Sequence, residues 1–135
     1  MKLATCDRTI GAPVDVVWAL LSTADGLTAW MAVDAEIDLR IGGVIRWRHD
    51  NGWVVAGEFT EIVPMRRLAF TYGWETGGFP VPVGSSLVTI ELEGRGGVTH
   101  VAVRHTGLTD AMAEQHDHGW AMFVGKLAST AEGHS

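Results

Sequence analysis

The sequence "TDAMAEQHDHGWAMFVGKLAST", residues 109–130, contains the clearest helical pattern of the chain. Its apolar and aromatic side chains recur at steps of three and four residues, which places them on one face of an α-helix. The stripe comprises Met112, His116, Trp120, Phe123, Leu127 and Thr130. We therefore predict one long C-terminal helix that begins at Thr109 or Asp110 and buries this stripe against a large partner.

Two histidines in this helix, His116 and His118, stand on either side of Asp117. Residues two positions apart on an α-helix point about 200° apart, so these imidazoles cannot chelate one metal ion. We expect His118 at the surface and His116 on the buried stripe, either as a packing residue with one hydrogen bond or as a ligand contact. Gly119 costs the helix about 1 kcal/mol relative to alanine, and we expect close approach to the sheet or to Trp18 to compensate.

The rest of the chain is predicted to form strands and two short helices. A strand-like alternation over residues 3–10 is followed by helical spacing over residues 14–21 and then by a second short helix. From residue 32 to residue 106, alternating runs are separated by turn signals, which predicts an antiparallel meander. Asn51-Gly52 is the strongest hairpin signal, and we expect positive φ at both positions.

These elements predict a single α+β domain over residues 1–135. A curved antiparallel sheet is the only predicted element large enough to cover the C-terminal helix. The sheet should therefore wrap around that helix in a helix-grip arrangement, with the two short helices after the first strand. Such an arrangement can leave a cavity between the sheet and the helix.

The composition argues against several classes of function. A net charge of −6 is unfavourable for binding to nucleic acid, because phosphates are neutralised by a basic face. No run of 18 apolar residues is present, so no membrane span is expected. The N-terminus lacks a hydrophobic signal core, and Cys6 is the only cysteine, so we expect a cytoplasmic protein.

Four segments are similar, in sequence and in order, to one known family. They are "DRTIGAPVDVVWALL" (7–21), "GEFTEIVPMRRLAFTY" (57–72), "THVAVRHTGL" (99–108) and an H-x-x-G-W motif (116–120). On these residues the chain resembles the activator of heat shock protein 90 ATPase homologue-like family of the START-like, or SRPBCC, superfamily. The resemblance implies the helix-grip fold, also described as Bet v-like, with a deep apolar cavity. It does not define a function, because the superfamily uses its cavity in many ways.

The alternation of residues 100–105 places His105 on the same strand face as Val101 and Val103. His105 should therefore face inward, near the start of the helix that carries His116. Two inward histidines at one end of a cavity could bind a ligand carboxylate or act as acid and base. Alternatively, both are buried imidazoles with hydrogen bonds to the backbone. The sequence leaves both interpretations open.

Aromatic side chains supply most of the predicted cavity wall, since apolar pockets with few polar anchors are the usual sites for small molecules. The predicted ligand-binding residues are Trp30, Trp47, Trp53, Phe59, Phe70, Tyr72, Trp74, Val101, Val103, His105, His116, Trp120 and Phe123. Trp30, Trp53 and Trp74 are expected at the mouth, and the Gly/Pro-rich loop 75–85 is the candidate gate. We therefore predict that a small hydrophobic molecule or lipid binds between the sheet and the helix.

Two other functions stay open. The resemblance implies a protein-interaction module that stimulates a chaperone ATPase, and a homodimer is compatible with the sequence. A cyclase or dehydratase would use His105, His116 or Tyr72 as acid or base. The sequence contains no Ser-His-Asp order, phosphate loop, paired-carboxylate motif or Cys/His metal spacing. It therefore identifies no catalytic residue, no metal site and no cofactor.

Overall fold

Seven strands and three helices form within residues 3–75 and 80–133, the part of the chain that the computed structural model describes. In chain order they are β1 (Ala4–Ile10), α1 (Val14–Ser22), α2 (Ala24–Trp30), β2 (Asp34–Ile37), β3 (Val44–Arg48), β4 (Val54–Val63), β5 (Arg67–Trp74), β6 (Ser86–Arg95), β7 (Val98–Thr106) and α3 (Asp110–Gly133). The Thr23 hydroxyl caps α2 by accepting a hydrogen bond from the Gly26 N–H at 2.9 Å. The two short helices after β1 and the start of α3 are as predicted.

The strands form one antiparallel sheet in the order β1-β7-β6-β5-β4-β3-β2. Strands β2 to β7 neighbour one another in chain order, which confirms the predicted meander. β1 adds to the far side of β7 and pairs Ala4 with His105. Helix α3 packs along β1 and contacts β7, so the long helix lies against the sheet. The α+β helix-grip fold predicted from the sequence is confirmed.

The β3–β4 hairpin forms at the predicted place but with a different turn. The backbone N–H of His49 donates to the carbonyl of Trp53 at 2.8 Å, which leaves three residues in the loop. In such a loop only the last residue needs the left-handed conformation, and Gly52 adopts it with φ 89°. The expectation of positive φ at Asn51 is therefore wrong. The hydrogen bond that closes this three-residue loop places His49 and Trp53 next to each other at the end of the hairpin.

The buried face of α3 follows the predicted stripe only in part. The buried residues are Met112, Ala113, His116, Trp120, Val124, Leu127, Ala128 and Ala131. Phe123 and Thr130 are half-buried at the border of this face, because the face continues from Trp120 to Val124, four positions on. His118 is exposed, as expected. In the described ranges no helix is both long and apolar enough to cross a membrane.

Two acidic side chains of α3 accept hydrogen bonds from the backbone beside them. Asp117 Oδ1 accepts from the N–H of Thr5 in β1 at 3.0 Å. About four helical turns further on, Glu132 Oε2 accepts from the N–H of Gly11, just after β1, at 2.9 Å. Because these contacts lie near the two ends of β1, they hold the helix along the length of that strand. Asp117 thus has a structural role that its position between two histidines did not suggest.

Candidate functional site

A cavity of about 510 Å³ opens between α2, the β3–β4 hairpin, the end of β5 and the middle of α3. Eight of the predicted ligand-binding residues line it: Trp30, Trp47, Trp53, Tyr72, Trp74, His116, Trp120 and Phe123. Trp30 is buried rather than at the mouth, and its indole N–H donates to the Leu20 carbonyl at 2.8 Å. Trp53 and Trp74 are half-buried. We call this space the aromatic cavity, because five tryptophans line it together with Tyr72 and Phe123.

Five predicted residues are buried in the core and do not line the aromatic cavity: Phe59, Phe70, Val101, Val103 and His105. Strand alternation predicted correctly that they point inward. It did not indicate how far along each strand the cavity extends. The cavity occupies only the end of the sheet near α2, and side chains fill the remaining space between sheet and helix. The structure therefore places these five predicted residues in the core and not among the residues that line this cavity.

The structure adds to the wall residues that the sequence had not nominated. Among them are His49, Gln115 and Lys126. His49 continues the inward face of Ile45 and Trp47, so the alternation of β3 contained the signal for it. Lys126 lies three positions after Phe123 on α3, and only that helical spacing could have suggested it.

Gly119 also lies on the wall of the aromatic cavity. A Cβ added at Gly119 would have no neighbouring atom within 4 Å, apart from the helix's own backbone. The expected close approach of the helix to the sheet or to Trp18 is therefore wrong. The missing side chain instead leaves volume open inside the cavity.

His105 is completely buried and both ring nitrogens are hydrogen-bonded. The indole N–H of Trp120 donates to Nδ1 at 3.1 Å, so the proton of the neutral ring lies on Nε2. Nε2–H then donates to the Ser86 hydroxyl at 2.8 Å, and that hydroxyl donates to the carbonyl of Tyr72 at 2.8 Å. Burial, with a smaller effect from His116, lowers the pKa of His105 to about 3. The ring of His105 is therefore uncharged near neutral pH, with both of its nitrogens hydrogen-bonded inside the protein.

His116 shows the same arrangement with the opposite tautomer. The indole N–H of Trp74 donates to Nε2 at 3.1 Å, and Nδ1–H donates to the Met112 carbonyl at 2.8 Å. Burial lowers the pKa of His116, and the hydrogen bond to the Met112 carbonyl only partly opposes this effect. The backbone hydrogen bond favours the packing interpretation, although the ring edge also belongs to the cavity wall.

His49 is the third imidazole that accepts a hydrogen bond from an indole. Trp47 donates to its Nε2 at 3.1 Å, which places the proton of the neutral ring on Nδ1. The ring stacks on Trp74 at a centroid distance of 5.4 Å and lies 5.2 Å from the ring of Phe123. Burial lowers the pKa of His49, so this ring is also neutral near neutral pH.

Tyr72 lies between these groups, with ring centroids 4.3 Å from His105 and 5.7 Å from His116. Burial raises the pKa of its hydroxyl well above the ordinary value, against the opposing effect of a hydrogen bond with Trp74. Near neutral pH the rings of His49 and His116 and the phenol of Tyr72 are therefore all uncharged on the cavity wall. The wall therefore offers ring surfaces and a few hydrogen-bonding groups.

The predicted gate, loop 75–85, lies partly outside the described residues, since Gly77 and Gly78 fall in the range 76–79. The portion after that range is attached to the sheet. Val81 is buried, and its carbonyl accepts a hydrogen bond from the backbone N–H of Trp74 at 2.7 Å. This end of the loop is therefore held beside a residue of the cavity wall.

Metal coordination has no candidate in the part of the chain that the structure describes. No group of three His, Cys, Asp or Glu side chains there is arranged to hold an ion. His105 and His116 lie 5.2 Å apart between ring centroids, but hydrogen bonds from indoles already occupy one nitrogen of each.

The curved sheet, the long helix against it and the cavity at one end define an α+β protein of the helix-grip type. Residues 11–132 match the family described as Activator of Hsp90 ATPase homolog 1-like protein, and the chain belongs to this family. The resemblance seen in the sequence is thereby confirmed. No curated protein matches the chain.

Solved structures with the same fold include DynU16, a protein of the dynemicin biosynthetic locus, with 24% identity and a TM-score of 0.83. That match covers 98% of this chain but 48% of DynU16, so the chain spans about half the length of that relative. The Aha1 dimer from Colwellia psychrerythraea has 24% identity, a TM-score of 0.81 and coverage of 98% of this chain and 97% of its own. MLL2253 from Mesorhizobium loti has 20% identity, a TM-score of 0.84 and coverage of 97% of each chain.

Proposed function

We propose that this protein binds a small hydrophobic molecule in the aromatic cavity. One observation carries the proposal: the wall is rich in aromatic rings, and three of its indole N–H groups are already hydrogen-bonded within the protein. The indole N–H groups of Trp47, Trp74 and Trp120 each donate to an imidazole. Ring faces are therefore what a ligand meets, and contact with them does not compete with buried hydrogen bonds.

The size of the cavity supports the same proposal. Small-molecule sites typically enclose about 300–1,000 Å³ and combine apolar walls with a few polar groups. The volume of about 510 Å³ falls in that range. The likeness to DynU16, at 24% identity, is one of fold alone, so the proposal depends on the cavity and not on that protein's biosynthetic locus.

Titration with N-phenylnaphthylamine, a neutral aromatic dye, tests the proposal. We expect saturable one-to-one binding with a dissociation constant on the order of 10 μM, as a ligand of this size buried in an apolar pocket achieves. Dye fluorescence should rise and tryptophan fluorescence should fall together, because five of the six tryptophans line the cavity. Binding that does not saturate, or a dye signal that leaves tryptophan emission unchanged, contradicts the proposal.

The family's description makes stimulation of a chaperone ATPase a second candidate function. ATP turnover by purified Hsp90, measured with and without this protein, separates this candidate from ligand binding, since dye binding requires no chaperone.

We further propose a cytoplasmic location, because Cys6 can form no internal disulfide. A homodimer is proposed by likeness to the Aha1 dimer.

A further inference from the structure

Two hydrogen-bond donors beside the Phe123 ring on the cavity wall have no hydrogen-bond partner among the described residues. One is Nδ1–H of His49, whose Nε2 is occupied by Trp47. The other is the ammonium group of Lys126, which lies 5.3 Å from the centroid of the Phe123 ring. His49 lies 5.2 Å from that same centroid, so the two donors flank one ring of the wall.

The wall of the aromatic cavity carries a positive charge, although the protein as a whole is acidic. The protein carries a net charge of −6, and none of its arginines lines the aromatic cavity. Lys126 is the one cation among the described wall residues. Asp50 also lies on the wall, but it forms no ion pair with Lys126 within 4.0 Å in the described structure. The Lys126 ammonium group therefore forms no direct ion pair with a carboxylate among the described wall residues.

We propose that the ligand is a planar aromatic molecule with one acidic group, such as a carboxylate. The inference rests on the proposed function and specifies its ligand class. The acidic group pairs with Lys126 Nζ and accepts a hydrogen bond from His49 Nδ1–H, while the ring system lies against the indoles. The anchor for a carboxylate is therefore at His49 and Lys126, because His105 and His116 already use their ring nitrogens within the protein.

A cationic ligand is disfavoured by the same geometry. Aromatic walls can hold a cation over a ring face, but Lys126 already lies over Phe123. A second positive charge at that place would be repelled. Burial lowers the pKa of His49, the Asp50 carboxylate opposes this shift, and the Lys126 charge adds a smaller lowering effect.

Two dyes with the same skeleton test the inference. Anilinonaphthalene sulfonate is N-phenylnaphthylamine with one added anionic group, so the ratio of their dissociation constants measures the preference for the charge. We expect the sulfonate to bind wild-type protein about tenfold more tightly than the neutral dye, and the preference to shrink in high salt. In Lys126→Met, which keeps an apolar stem without the charge, the ratio should fall to about one.

Arg95→Met is the matched control, because Arg95 is an exposed cation in β6 that does not line the cavity. Its dye ratio should equal that of the wild type. The inference is overturned if the neutral dye binds as tightly as the sulfonate, or if the preference for the sulfonate persists in Lys126→Met. Either result leaves the proposed function standing. If neither dye binds, both the inference and the proposed function are overturned.

Discussion

Replacing His105 with alanine is expected to lower the free energy of unfolding by about 4 kcal/mol. The substitution leaves a hole beside Tyr72 and removes the acceptor of the Trp120 indole N–H, which is buried. Cavities of this kind cost about 2–5 kcal/mol, and an unsatisfied buried donor costs about 1–3 kcal/mol. Urea unfolding followed by tryptophan fluorescence measures the change.

His118→Ala is the control for this prediction, since His118 lies on the same helix as Trp120 but is exposed. Its effect should stay within about 0.5 kcal/mol. If His105→Ala kept wild-type stability, the hydrogen-bond network around the ring would not contribute as argued. The interpretation of His105 as a reactive group would then have to be considered again.

The pH dependence of stability gives a second measurement on His105. Its pKa is about 3 in the folded protein and 6.5 in a model peptide, so the unfolded chain binds the proton more strongly. Stability from this group is fully present above pH 6.5 and is lost as the pH falls from about 6.5 towards about 3. In His105→Ala the fall in stability over this window should be shallower than in the wild type. His116 and His49, whose pKa values are also lowered, keep part of the dependence in the variant.

Gly119→Phe is expected to weaken the binding of N-phenylnaphthylamine by at least about tenfold. Space is open around the missing side chain of Gly119, and this space belongs to the aromatic cavity. A benzyl group there occupies volume that the ligand would use. The substitution also removes a mid-helix glycine, so it should not cost helix stability. Fluorescence titration of the variant against the wild type measures the effect.

Gly125→Phe is the matched control for this prediction. Gly125 is also a glycine within α3 with nothing near an added Cβ, but it lies outside the aromatic cavity. Its dissociation constant should stay within about twofold of the wild-type value, which is the scale of a surface substitution. Equal loss of affinity in both variants would mean that the helix, and not the cavity, determines dye binding.

The elements of the fold could be predicted because their patterns are local. The stripe through His116 and Trp120 depends only on helical spacing, and the inward direction of His105 depends only on strand alternation. The half-buried state of Phe123 was not predicted, because it depends on the cavity that the ring lines and not on helical spacing. Errors of this kind move a residue from the face to its border and leave the element unchanged.

The aromatic cavity was harder to predict because it depends on distances between separate elements. Trp74 and His116 are 42 positions apart in the chain, and their hydrogen bond follows from how β5 faces α3. The depth of the cavity is likewise a property of packing, so Phe59 could be placed on the inward face but not excluded from the wall. The alternation of β3 could have predicted that His49 faces inward. Lys126 was not nominated, because a lone charge on a helix usually lies on a solvated face.

The contacts of Asp117 and Glu132 with the backbone at β1 have a consequence for aggregation. A strand at the margin of a sheet offers unpaired N–H groups to any other extended chain. Here α3 lies along that margin and its carboxylates already accept from Thr5 and Gly11. The opposite margin is β2, only four residues long, where Asp34 and Glu36 are exposed. Short length and like charges discourage a second chain from adding there, so the sheet is protected at both margins by acidic side chains.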